Sequence, residues 1–196
     1  MAVISVIGTG GVGKSFLVKQ LASATCSPAF FEGEEGTIPK EILDSVFNSN
    51  GPRPRWKFFV NRLKQNLLRA KKISDSGIDV YTDDSSLSPH AIVAWEDVKY
   101  HEELHKISDE LSNLKSDITI LLVTSKEKIW NFVRQRCRCS EIDDKAVERA
   151  VIIQNEFLKL ADDEKNIAVI DRNEMDFSKA EDLNNILKLI QKLKEN

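Results

Sequence analysis

The chain has 196 residues, with 28 Lys plus Arg against 31 Asp plus Glu and 41% hydrophobic residues. A domain of this length removes roughly 70% of its unfolded surface from water, so a core forms without disulfides or a structural metal. The net charge of −3 argues against a general nucleic-acid binder. No stretch reaches the roughly 18 apolar residues of a membrane span, and the three cysteines fit a reducing compartment. No basic segment precedes the short, Gly-broken apolar run at the start, so a signal peptide is not expected. A single cytoplasmic domain over residues 1–196 is the expectation, with neither nucleic acid nor membrane as partner.

Residues 2–7 form a continuous Val- and Ile-rich run, as in a strand buried on both faces. After a Gly-rich turn, Phe16, Leu17, Leu21 and Ala22 recur at helical spacing. Residues 28–32 are a second short apolar run ending in an acid. Helices are predicted over 38–47 and 56–68, parted by the breaker stretch 48–54. Residues 77–81 predict a strand, and 82–89 a polar turn that caps a helix close by. The stripe Tyr100, Leu104, Ile107, Leu111 and Leu114 predicts a helix over 96–114. Residues 117–123 predict the clearest buried strand, 126–134 a helix and 137–144 a polar loop. A helix over 147–161, a strand over 167–170 and a helix over 179–193 complete the chain. Strands alternating with helices predict an α/β domain with a mostly parallel sheet.

Gly8, Thr9, Gly10, Gly11, Val12, Gly13, Lys14 and Ser15 satisfy G-x-x-x-x-G-K-[ST] between a predicted strand and helix. Glycines let successive backbone N–H groups curl round a phosphate, and the helix N-terminus adds positive potential. Lys14 would reach the β- and γ-phosphates, and the Ser15 hydroxyl would ligate Mg²⁺. Gly8, Gly10 and Gly13 also match the dinucleotide fingerprint G-x-G-x-x-G, with Glu32 as the acid about 20 residues on. A Lys followed by a hydroxyl favours the phosphate loop, because a dinucleotide turn has no use for either. A bare Gly-rich turn is the third reading.

Three further segments carry chemistry. Arg134, Arg136 and Arg138 follow a helix, where guanidinium groups on a closing loop would meet the charge of a transferring phosphoryl group. A solvated charge cluster explains them otherwise. Asp83 follows the 77–81 strand, and ligands lie at that edge of open α/β sheets. It could hold Mg²⁺ directly or through water, or Asp and Ser there could simply cap a helix. Glu32, Glu34 and Glu35 follow the second strand, and Glu32 is the candidate general base. His101-Glu102-Glu103-Leu104-His105 matches H-E-x-x-H, but both histidines flank an apolar stripe and no third ligand follows. Cys137-x-Cys139 has no metal-binding partners nearby and reads as filler.

Taken in order, these pieces resemble the deoxynucleoside kinase family. Residues 4–15 look like its opening strand and phosphate loop, and Phe31-Glu32 falls where the family keeps its catalytic base. Trp56 to Asn61 resembles the helix with an aromatic and a base-reading amide. Asp83-Asp84-Ser85 falls on the acid-Arg-Ser motif, and residues 134–141 on the Arg-rich lid. Asp171 falls near the loop that touches the donor's adenine. The resemblance implies a P-loop three-layer α/β sandwich, with a five-stranded parallel sheet, helices on both faces and a short lid. It implies ATP and Mg²⁺, with transfer to the 5′-hydroxyl of a deoxynucleoside and a homodimer as the assembly. Lys14, Glu32, Arg136 and Arg138 would be catalytic, Ser15 and Asp83 would hold the metal, and Trp56, Asn61 and Asp84 would meet the acceptor. Two departures stand out: Asp84 where the family has arginine, and Asn61 where it has Gln. Alternatives are a nucleotide-binding protein with little or no turnover, a nucleoside monophosphate kinase, and an NAD-dependent oxidoreductase.

Overall fold

Val3–Gly8 (β1) is apolar on both sides because it lies in the middle of the molecule and is buried at every residue. The chain was analysed as a computed structural model, which describes residues 1–33, 38–39, 41–42, 56–135 and 144–195. The other strands are β2 (Ala29–Phe30), β3 (Val80–Thr82), β4 (Ile118–Val123) and β5 (Ile167–Asp171). They form one five-stranded sheet in the order β2-β3-β1-β4-β5, every pair parallel. Such a sheet needs cover on both faces. The described helices supply it: α1 (Lys14–Thr25), α2 (Trp56–Asp75), α3 (Ser88–Val93), α4 (His101–Leu111), α5 (Lys126–Gln135), α6 (Asp144–Asp163) and α7 (Ala180–Lys194).

The period-2 alternation of the strands decides which layer each side chain joins. Ile4, Val6, Ile120 and Leu122 pack with Leu17, Val18 and Leu21 of α1 and Ile186 and Ile190 of α7. On the opposite face Ile7 and Leu121 meet Ala91 of α3 and Phe157 of α6, while Val3 and Val80 meet Ala70 of α2. Each large aliphatic side chain so buried stabilises by about 1.5–3 kcal/mol. A further cluster joins α2 and α4 through Trp56, Val60, Leu63, Leu67, Leu104 and Leu111. The result is the three-layer α/β sandwich with a five-stranded parallel sheet that the resemblance implies.

Several predicted boundaries move. The 56–68 helix continues to Asp75, because buried Ala70 and Ser74 prolong the stripe of Trp56, Val60, Leu63 and Leu67. The 77–81 strand begins later, at Val80. Gly77, at φ +89, closes α2 by donating its N–H to Ser74 O at 2.9 Å, and Ile78 is exposed. The 96–114 helix is α-helical only over His101–Leu111, with 3₁₀ turns at Val98–Tyr100 and Ser112–Leu114. Val98 lies in solvent and contributes nothing to the stripe, so the apolar face starts at Tyr100. Residues 43–47 of the predicted 38–47 helix and 137–143 of the predicted loop lie outside the described residues. Among the described residues, no helix is long and apolar enough to cross a membrane.

Candidate active site

The loop between β1 and α1 is shaped by its backbone. Gly8 has φ +142, and a Cβ there would lie 2.5 Å from Leu122 O of β4, so only glycine fits. Gly11 (φ +87) and Gly13 (φ +100) also take left-handed conformations, and Gly13 is the N-cap residue of α1. Val12 is buried in the sheet–α1–α7 core and pins the loop from below. Gly10 is exposed at the tip. The Lys14 ammonium donates to Gly8 O at 2.9 Å and Thr9 O at 3.1 Å. It thus spans the loop, at the place where an anion with better acceptors would take it over.

The segment after β3 is shaped by side chains. Asp83 is buried at the carboxyl end of β3, and its two oxygens have separate tasks. Oδ2 accepts from Ser15 Oγ at 2.6 Å, and Oδ1 accepts from the Glu32 backbone N–H at 2.7 Å. One carboxylate therefore ties the phosphate loop to the candidate base. Asp84, half-buried, accepts at Oδ1 from the Ser85 N–H at 2.8 Å and from the Ser88 hydroxyl. Its carboxyl is pushed up to about 8, first by burial and then by the charges of Glu32 and Asp83, against the lowering effect of Ser88 and Ser85. Beneath this segment, Ser5 shares hydrogen bonds with Thr82 at 2.7 Å and with Ser116, and Thr82 Oγ1 donates to Asp84 O at 2.6 Å. A buried hydroxyl chain thereby fixes β3 against β1 at the site.

The structure thus brings together Gly8, Gly10, Gly11, Val12, Gly13, Lys14, Ser15, Glu32, Asp83 and Asp84. Asp171 stands at the end of β5, not beyond it, and its Oδ1 accepts the Asn173 N–H at 2.7 Å. Trp56 is buried in the α2–α4 cluster with its ring 6.1 Å from that of Tyr100, edge to face, and its indole N–H has no partner among the described residues. Asn61 is exposed on α2. Arg136 and Arg138 lie outside the described residues, as do Glu34, Glu35, Cys137 and Cys139. Arg134 lies over the Trp130 ring at 4.5 Å. His101 Nε2–H donates to Glu96 O at 2.9 Å and so serves the turn before α4.

Two residues near the site went unnoticed in the sequence. Asn66 of α2 donates from Nδ2 to Phe31 O at 3.2 Å, holding the segment that carries Glu32. It lies five residues beyond Asn61, about 140° round the helix, so the two amides sit on different faces. Arg172, directly after β5, lies beside Gly13, where an added Cβ would come within 3.8 Å of its Nε. A cation following the last strand was the available signal for it.

Chemically, the loop can cradle phosphates. Ser15 and Asp83 offer hard oxygen atoms in contact with one another, a fitting pair for Mg²⁺ with waters completing its shell. No family model matches the sequence, and no curated protein matches it. Solved structures do. Deoxyadenosine kinase from M. mycoides with the products dCMP and a flexible dCDP bound has a TM-score of 0.76 at 17% identity, covering 97% of this chain and 99% of that one. The same kinase with dATP gives 0.71 at 18% identity, over 96% and 99%. With dCTP it gives 0.66 at 17% identity, over 97% and 99%. The chain therefore has a deoxynucleoside kinase-like P-loop fold over nearly its full length.

Proposed function

We propose that this chain is a phosphotransferase that moves the γ-phosphoryl group of ATP to the 5′-hydroxyl of a deoxynucleoside. The observation that carries this reading is the Asp83 carboxylate, which contacts Ser15 of the phosphate loop and the backbone of Glu32 together. A protein that only bound nucleotide would need the loop but not a carboxylate base fastened to it. The deoxyadenosine kinase fold, whose structures hold dCMP, dATP and dCTP, supports the same substrate class.

In this reading Lys14 leaves the Gly8 and Thr9 carbonyls to hold the β- and γ-phosphates. Ser15 and Asp83 hold Mg²⁺, which when bound offsets the negative charge of the phosphates. Glu32 accepts the proton of the attacking hydroxyl. Arg136 and Arg138 close over the transferring group, Asp171 stands beside the donor's adenine, and Asn61 reads the acceptor base, while Trp56, packed between α2 and α4, supports α2 from behind. The assembly is a homodimer in the cytoplasm. Asp84 faces the acceptor's sugar as an acid, where the family pattern has a cation, so turnover on common deoxynucleosides is slow.

The crowding of Asp84 with Glu32 and Asp83 favours one second reading, a nucleotide-binding protein with little turnover. Assaying the wild type and Asp84→Arg with Mg²⁺–ATP against all four deoxynucleosides separates the two. The expected outcome is measurable 5′-phosphorylation by the wild type, faster in Asp84→Arg. ATP binding without turnover in both proteins would establish the second reading. A fast wild type with a slower Asp84→Arg would show instead that Asp84 belongs to a working site.

A further inference from the structure

Arg172 has an unusual environment. Its guanidinium lies over the Phe177 ring at 4.2 Å and near that of Phe132 at 6.0 Å. Its Nε–H is buried without a hydrogen-bond partner among the described residues. Its backbone is clamped, which fixes the point from which the side chain starts. Arg172 N donates to Val123 O at 2.7 Å, and the Lys128 ammonium donates to Arg172 O at 3.5 Å and Asn173 O at 3.0 Å. Asn173 is held in turn by the Thr124 hydroxyl at 3.1 Å. A guanidinium carries five donors and stays charged, and burying a donor without an acceptor is costly.

The nearby acid does not answer this need. Asp176 accepts from Ser178 N and Oγ, and the Arg172 charge is the weakest of the influences that lower its carboxyl. The Arg172 side chain lies beside the phosphate loop at Gly13. A Cβ added at Gly13 would lie 3.8 Å from Arg172 Nε and 3.8 Å from Phe177. Gly13 is the N-cap residue of α1, and α1 begins with Lys14, so the Arg172 side chain lies at the N-terminal end of that helix.

We propose that Arg172 is a further phosphate-binding residue, which donates to the phosphate chain of the bound nucleotide from the β5 side of the loop. The inference rests on the proposed phosphate-loop function and adds a contact from an element far from the loop in sequence. Phe177 holds the guanidinium by stacking on it, and the phosphate oxygens accept from its terminal N–H groups.

The test is calorimetric titration with the Mg²⁺ complexes of ATP and of inorganic tripolyphosphate. The proteins are the wild type, Arg172→Met, Arg172→Gln, Arg172→Lys and Lys14→Ala. Arg172→Met should weaken both ligands by about tenfold or more and by similar factors, while Arg172→Lys retains most of the affinity. Where the Met variant does not fold, Arg172→Gln must show the same paired loss. Weaker ATP with unchanged tripolyphosphate would make Arg172 a contact to the nucleoside and overturn the proposal. So would unchanged affinity for both, or an equal loss in Arg172→Lys. If the loop reading itself fails, the wild type binds neither ligand and Lys14→Ala changes nothing. If Arg172 alone is misread, Lys14→Ala abolishes binding that Arg172→Met leaves intact.

Discussion

The loop after β1 and the segment after β3 arrive at the same edge of the sheet by different means. In the loop, Gly8, Gly11 and Gly13 fix the path through backbone conformations open mainly to glycine, and the groups it would offer an anion are largely main-chain N–H. After β3, ordinary backbone carries Asp83 and Asp84, and everything depends on which hydroxyls and N–H groups their oxygens meet. The loop is a local object that eight consecutive residues specify. The β3 segment is assembled from partners on β1, α1, α3 and the stretch after β2. Substitution should therefore damage the first through sterics and the second through lost pairing.

Asp83 gives the largest expected effect. Asp83→Asn keeps an acceptor for the Glu32 N–H but loses the charge that faces Ser15. Turnover should fall about a hundredfold while the melting temperature stays near that of the wild type. Steady-state kinetics beside a thermal melt read both, and unchanged turnover would remove Asp83 from the site.

The loop should respond differently. Gly8→Ala places a Cβ 2.5 Å from Leu122 O and should cost about 2 kcal/mol or more. Gly10→Ala, at the exposed tip and without a positive φ, should stay within about 0.5 kcal/mol of the wild type. Urea denaturation of the pair checks this, and equal losses would mean that the loop is not sterically fixed at Gly8.

The smallest effect concerns pH. The Asp84 carboxyl titrates near 8 in the folded chain and near 3.9 when unfolded. Between those values the native state holds a proton that the unfolded state has released, so this group's contribution to stability falls as pH rises from about 4 to 8. Asp84→Asn removes the slope. Relative to the wild type, it should be more stable at pH 8 than at pH 5. Denaturation curves whose difference is the same at both pH values would show that Asp84 ionises normally.

The same contrast explains what could be read from the chain. Gly8 to Ser15 was legible because all of its determinants are contiguous, and the alternation of strands with helices was enough for the parallel α/β sandwich. Asp83 was legible by position, at the end of a strand. Its double hydrogen bond was not, because Ser15 and Glu32 lie 68 and 51 residues away. Arg172 was missed for the same reason, since Gly13 meets it only after β4 and β5 are both in place. Asn66 was missed because its acceptor, Phe31 O, lies 35 residues away, while Asn61 stands out by resemblance and not by spacing. The helix expected over 96–114 is shorter because its apolar face starts only at Tyr100, with Val98 exposed before it.

The parallel order of the sheet has a kinetic consequence. β1 pairs with β3, which begins at Val80, and with β4, which begins at Ile118. No neighbour of β1 is local, so the strand that leads into the phosphate loop cannot be stabilised by a hairpin. Closing such long loops must precede any reward from pairing, which places this chain among the slower folders for its size. During synthesis, this apolar strand and its glycine turn emerge before β3 and β4 and wait for more than a hundred further residues before both of their edges are covered. Over that interval α1 and transient partners are what shield residues 3–8 from other chains.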